Sequence, residues 1–228
     1  MILALLYGLL LTAIAATRSR PEPIAAHWFR VMLRSMGIRC RVEGQVLPEP
    51  VLLVGNHMSW VDILLVGGHA QTLFVSKDDV KGWPVVNWMC QAGKTLYIAR
   101  GAHGTAELRQ DMLQRFGEGH RVLIFPEGTT TSGPGVRRFQ PRLFAVAIDG
   151  GIPVQTFALH YDKACVAYVD GGPSMVGVLW DCLGQSPIQA RLCFGPQLPA
   201  CEARDAYARS AQGWVEGQLQ AFHHSPSA

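Results

Sequence analysis

The sequence predicts an α/β domain: a mixed, largely parallel sheet flanked by helices, preceded by an N-terminal membrane-associated helical segment. Three observations carry this prediction. Unbroken apolar runs such as VLLV at 51–54 and VLIF at 122–125 suit strands covered on both faces. These runs alternate with longer segments of helical period, the order expected of a parallel sheet with crossover helices. The first 17 residues, finally, contain no charged side chain. The 228-residue chain is 49% apolar and only 16% charged, which excludes a disordered chain and points to membrane contact. Its net charge of +3 is too small to suggest a nucleic-acid partner.

Residues 1–17 read as a membrane anchor. As a helix they reach roughly 25 Å, short of the ~30 Å hydrocarbon core. Eight Leu and Ile favour insertion. The rival is a secretory signal peptide, since Ala13-Ile14-Ala15-Ala16 resembles a cleavage region. The basic residues follow the apolar stretch, however, whereas a signal peptide carries them in front. Six arginines stand against Glu22 alone between residues 18 and 41, so the positive-inside rule keeps the remainder in the cytoplasm.

Pro21 and Pro23 interrupt the first helix, and a second begins near Ile24. His27, Arg30 and Arg34 share one of its faces, opposite Trp28, Phe29, Met32, Leu33 and Met36, and Gly37 suits its end. This pattern fits either an interfacial helix on an anionic membrane surface or an amphipathic helix packed on the domain. Residues 1–41 are accordingly assigned to membrane anchor and interfacial helix, and 42–228 to a catalytic domain.

Beyond residue 41, strands are expected at 51–54, 72–76, 96–99, 122–125, 154–160, 165–169 and 190–194. Helices are expected at 60–68, 105–117, 138–149 and 202–222. In the second of these, Leu108, Met112 and Phe116 recur every four residues behind a Thr105 cap. The six cysteines form no CxxC pair and lie mostly in apolar runs, so they read as reduced. The eight histidines lack metal-ligand spacing.

Ligands of such sheets bind beyond the carboxyl ends of strands, and two strand ends stand out. After VLLV comes Gly55-Asn56-His57-Met58-Ser59-Trp60-Val61-Asp62. On one continuous helix, positions five apart lie about 140° from each other. His57 and Asp62 meet only if His57 lies in the loop and Ser59 caps a helix whose carboxylate turns back, as in a capping box. Asp62 then holds one imidazole nitrogen and leaves the other as a base. The alternative is a helix cap beside an ordinary turn histidine. After VLIF comes Pro126-Glu127-Gly128-Thr129-Thr130-Thr131, with Arg137 and Arg138 close behind. Such a turn can hold an anionic or polyhydroxyl ligand, or serve as a turn only.

Taken together, NHxxxxD and FPEGT resemble the glycerolipid acyltransferase family, which includes bacterial lysophosphatidate acyltransferases. A second block of the family is similar to Gly93-Lys94-Thr95-Leu96-Tyr97-Ile98-Ala99-Arg100, a fourth to Ile152-Pro153-Val154, and Lys77 matches a lysine common after the strand at 72–76. The resemblance runs from about residue 25 to 200. It implies acyl transfer from acyl-CoA or acyl carrier protein to a lysolipid hydroxyl, with 1-acyl-sn-glycerol-3-phosphate as the first acceptor and no other cofactor. His57 is then the general base and Asp62 its orienting partner. Lys77, Arg100, Glu127, Gly128 and Thr129 bind substrate. The implied location is the cytoplasmic face of the inner membrane.

The chain departs from the family pattern in three places. Ala99 stands where an acid is frequent, Thr130-Thr131 replace Arg-Ser, and Arg137-Arg138-Phe139-Gln140-Pro141 replace a Lys-Gly segment. Either Arg137 or Arg138 takes over acceptor binding, or the acceptor is another lysolipid such as lyso-ornithine lipid. A lipid hydrolase is disfavoured because no GxSxG elbow is present. A non-catalytic lipid-binding protein is the third reading.

Overall fold

A computed structural model describes the chain except for residues 49, 78–81, 83, 99–105, 134, 170 and 225–228; at Lys77 it describes the backbone only. Seven strands form one sheet in the order β1-β7-β6-β2-β5-β3-β4. They are β1 (Ile38–Glu43), β2 (Val51–Gly55), β3 (Leu73–Lys77), β4 (Leu96–Ile98), β5 (Arg121–Ile124), β6 (Val154–Tyr161) and β7 (Ile188–Gln197). Neighbours run parallel except β6 and β7, so the predicted mixed, mostly parallel α/β architecture is what forms. β2 is buried at every position, which is why it reads as an unbroken apolar run.

Helices cover both faces. On one side lie α1 (Ile2–Ala15), α2 (Glu22–Ser35), α3 (Val61–Ala70) and α7 (Met175–Gly184), which share a core containing Leu33, Met36, Leu65 and Val178. α4 (Pro84–Ala92) packs on α1. On the other side α5 (Ala106–Gly117), α6 (Ala145–Gly150) and α8 (Arg204–His224) enclose a second core. Leu108, Met112 and Phe116, four residues apart, point into it as expected. The cap proposed at Thr105 lies outside the described residues.

Three expectations change. Residues 165–169 form no strand: a 3-10 turn occupies Ala164–Val166, and the backbone N–H of Tyr168 donates to the Met58 carbonyl. Both edges of β6 are already taken, by β2 and β7, so the apolar segment after it finds no place in the sheet. The helix expected from 138 begins only at Pro141, as a 3-10 turn, because Phe139 and Gln140 bond elsewhere. The basic face of α2 also divides. The Arg30 guanidinium donates to the Gly68 carbonyl on α3 and is only half-exposed, whereas Arg34 and His27, whose ring meets the Tyr7 hydroxyl, stay exposed.

α1 has 14 residues and is about 21 Å long. Among the described residues, no helix is long and apolar enough to cross a membrane. β1 runs through the division drawn at residue 41, and α2 leads directly into it. The segment between α1 and α2 is tied down as well. Arg20 donates to the Gly119 carbonyl at 2.9 Å, Lys94 donates to the Ser19 carbonyl at 2.6 Å, and Glu22 pairs with His120 in a buried contact.

Candidate active site

The carboxyl ends of β2, β5 and β6 lie side by side, since all three strands run in one direction. β2 ends at Gly55, where a Cβ would stand 2.4 Å from the Phe157 ring and carbonyl, so only glycine lets the chain leave the sheet here. Asn56 extends the pairing by one residue: its side chain donates to the Leu159 carbonyl and accepts from the Leu159 N–H, each at 2.9 Å. The chain then turns, and His57 is set in the loop before α3.

Asp62 lies in the first turn of α3 and is fully buried. Its Oδ2 accepts from the backbone N–H of Met58 at 2.6 Å and of Ser59 at 2.8 Å, while the Val61 N–H reaches the Ser59 hydroxyl at 3.3 Å. The carboxylate turns back to the Ser59 N–H as expected, but the cap residue is Trp60 and the Asp62 N–H donates to the Ser59 carbonyl rather than its hydroxyl, so only half of the capping box forms. The same Oδ2 lies 2.8 Å from His57 Nδ1. A carboxylate that takes two further N–H donors on one oxygen can only accept, so Nδ1 is the donor and, in the neutral ring, Nε2 carries the lone pair. The helix N-terminus adds its partial positive charge in support of the buried anion. The His57 side chain remains 17% exposed, enough for an acceptor to reach its free edge.

Two neighbours that the sequence reading missed complete the dyad. The Tyr161 hydroxyl, at the end of β6, donates to Asp62 Oδ1 at 2.9 Å. Phe125 stacks flat on the imidazole, with centroids 3.8 Å apart and planes inclined by 8°. Phe157 in turn meets Phe125 edge-on at 6.0 Å. Sequence reasoning marked Phe125 as the last residue of an apolar run and the first of FPEGT, with no contact to His57 foreseen.

Glu127 occupies an unexpected place. Its Oε1 accepts the His57 backbone N–H at 2.7 Å and its Oε2 accepts the Arg137 backbone N–H, also at 2.7 Å. The side chain is buried, and that burial raises its carboxyl above the usual value despite the two N–H donors. The residue implied to contact substrate therefore stitches the two motifs together. A second stitch runs the other way, from the Thr131 N–H to the His57 carbonyl at 2.9 Å. Gly128 makes the turn between them: at φ +71° it sits in the left-handed region that glycine enters without strain. Thr129, half-exposed, follows in the same turn.

The remaining predicted positions scatter. Lys77 ends β3 at the same end of the sheet. Arg100 lies outside the described residues. Arg137 and Arg138 are both exposed, and the Arg138 guanidinium lies 4.0 Å from Asp205 on α8. All six cysteines are free, and no cluster of potential metal ligands occurs among the described residues.

The acyltransferase family model matches residues 39–160, more than half of the chain. A lyso-ornithine lipid O-acyltransferase of Pseudomonas aeruginosa is 38% identical over 60% of this chain and 53% of the relative. A 1-acyl-sn-glycerol-3-phosphate acyltransferase of Neisseria meningitidis is 33% identical over 71% of this chain and 65% of the relative. The chain thus spans about half to two thirds of the curated relatives it matches. The crystal structure of the 1-acyl-sn-glycerophosphate acyltransferase PlsC from Thermotoga maritima shares the fold, with a TM-score of 0.74 at 14% identity, covering 98% of this chain and 91% of that one. With the NHxxxxD dyad folded together and the family match extending across it, this chain belongs to the acyltransferase family.

Proposed function

We propose that the chain transfers a fatty acyl group from a thioester donor, acyl-CoA or acyl carrier protein, to the free hydroxyl of a lysophospholipid at the cytoplasmic membrane surface. The observation that carries this reading is the buried Asp62 carboxylate holding Nδ1 of a partly exposed His57, which leaves Nε2 as the ring's other nitrogen. Nε2 takes the proton of the acceptor hydroxyl as its oxygen attacks the thioester carbonyl. The imidazolium forms against Asp62, whose charge favours it. When the tetrahedral intermediate collapses the C–S bond breaks, and the departing thiolate recovers the proton. No enzyme nucleophile is needed, since a thioester is already activated.

The relatives' names support two acceptors, 1-acyl-sn-glycerol-3-phosphate and lyso-ornithine lipid. Thr130-Thr131 in place of arginine, together with the higher identity to the lyso-ornithine lipid enzyme, favours the second. Lys77, Arg100, Thr129 and Arg137 remain the residues assigned to the acceptor's polar end. Arg138 contributes less because of its carboxylate neighbour. In this reading residues 1–41 make the membrane contact and 42–228 carry catalysis. At about 21 Å, α1 lies in the interfacial region of one leaflet.

The test is a panel of lysolipids incubated with labelled acyl-CoA or acyl carrier protein. Transfer to one headgroup, abolished in His57→Ala, supports the proposal. Release of free fatty acid with no acylated lipid sinks it.

A further inference from the structure

Among the described residues, every strongly exposed large apolar side chain belongs to one side of the sheet. Most lie on α1, with Val42 on β1, Val85 and Trp88 on α4, and Val176 and Trp180 on α7. None lies on α5, α6 or α8. A soluble surface scatters such residues singly, whereas a one-sided concentration marks an interaction face.

α7 is the part of this face that the N-terminal segment does not explain. Val178 and Cys182 bury one flank of it in the core shared with α2, while Val176 and Trp180, one turn apart, stand 61% and 68% exposed. α7 is nonetheless continuous with α1. Ser186, just past the end of α7, sits against Gly37, just past the end of α2. Two residues back, at the end of α2, the Ser35 hydroxyl meets the Met1 sulfur at 3.7 Å. The N-terminal end of α1, where Ile2 and Leu3 are most exposed, therefore lies on the same edge as the C-terminal end of α7.

Cations border that seam: Arg34 and Arg39 are exposed on either side of Gly37, and Lys163 donates to the Gln185 carbonyl at the end of α7. Asp181 is the acidic neighbour on α7 itself. A tryptophan with an apolar body, set beside cations, suits the boundary between headgroups and acyl chains.

We propose that α7 is a second lipid contact: Val176 and Trp180 enter an anionic bilayer beside α1, so that the whole α1–α2–α4–α7 side of the sheet rests on the membrane. This rests on the reading of a lipid acceptor drawn from a bilayer. It also explains how the site is reached, because the segment leading into α7 is bonded to the His57 loop through Tyr168 and Met58. Docking α7 thereby places the dyad's loop at the lipid surface.

The test uses the full chain and vesicles of phosphatidylcholine and phosphatidylglycerol, without acyl donor, so that it reads independently of catalysis. Val176→Ser with Trp180→Ser is expected to weaken sedimentation with vesicles about tenfold, and Trp180→Phe to retain most of it. Brominated lipid is expected to quench an emission component present in the wild type and absent in Trp180→Phe. Activity on a short-chain, monomeric lysolipid is expected to match wild type, which shows that the fold and the dyad are intact. Unchanged partitioning, absence of quenching, or loss of activity on the monomeric acceptor overturns the proposal. So does a concentration-dependent dimer that the double variant dissolves, which would make a second copy the occupant.

Discussion

The hydroxyl of Tyr161 and the carboxylate of Asp62, ninety-nine residues apart in sequence, lie 2.9 Å from each other, both side chains buried. Burial, reinforced by the negative Asp62, pushes the phenol well above its ordinary value, so it stays a donor throughout the working pH range. Tyr161→Phe leaves Oδ1 buried without that donor. It is expected to cost about 1–3 kcal/mol in urea unfolding and to lower kcat while the acceptor KM holds. An unchanged kcat would make Tyr161 a packing residue only.

Asp62→Asn offers a nitrogen or a single oxygen where three donors now converge. Replacing one partner of a buried, hydrogen-bonded pair typically costs about 3–5 kcal/mol, so a marked fall in Tm is expected along with the loss of activity. A fully active variant with wild-type Tm would show that the carboxylate is dispensable.

His57→Ala separates chemistry from folding, because the imidazole is on the rim of the core rather than inside it. Its kcat is expected to fall about 10²–10⁴-fold, with circular dichroism and Tm little altered. A rate within a few-fold of wild type is the outcome that removes the general base from the mechanism.

Glu127 links pH to the join between the two motifs. Burial is the largest influence on its carboxyl and raises it above 4.5; the Arg137 and His57 N–H groups pull it down and Asp62 raises it further. A carboxyl raised by folding binds its proton more tightly in the native chain than in the unfolded one. Its contribution to stability is therefore complete below the unfolded value and is lost as pH rises through the folded value. Glu127→Gln is expected to flatten that decline in a series of thermal melts from acid to neutral pH. Because Glu127 holds the His57 backbone, the same variant is expected to depress kcat more than it raises the acceptor KM. The reverse split would return Glu127 to direct substrate contact.

The thiols of Cys40 and Cys182 are pushed up to about 12 by burial. Both are expected to resist iodoacetamide in the native protein near neutral pH and to react on unfolding, as mass spectrometry of the labelled chain would show. Rapid native labelling at either would contradict that environment.

Local pattern carried much of this fold. β2 and β5 were legible because strands covered on both faces need unbroken apolar runs, and α5 because its buried stripe recurs every fourth residue. β1 and α7 were not. Ile38–Glu43 alternates apolar residues with exposed arginines, like a polar connection, and α7 is apolar nearly all round, which hides its period. Residues 165–169 read as a strand for sound local reasons and were excluded by the full edges of β6, a fact no local window contains. In the site, the His57–Asp62 meeting followed from the capping pattern. Tyr161 was invisible because only the parallel register of β2 and β6 brings it near. Glu127 was recognised as part of the site and given a different task, since nothing in FPEGT reveals that both its oxygens face backbone amides.

The Phe125 ring lying flat on His57 closes one face of the imidazole and leaves its edge. An alcohol handing over its proton must therefore come in along the ring plane, in line with the Nε2 lone pair. In the proposed reaction that restricts the sector from which the acceptor oxygen can approach. A larger or smaller side chain at position 125 would change how that face of the ring is covered, and with it the approach of the acceptor hydroxyl to His57.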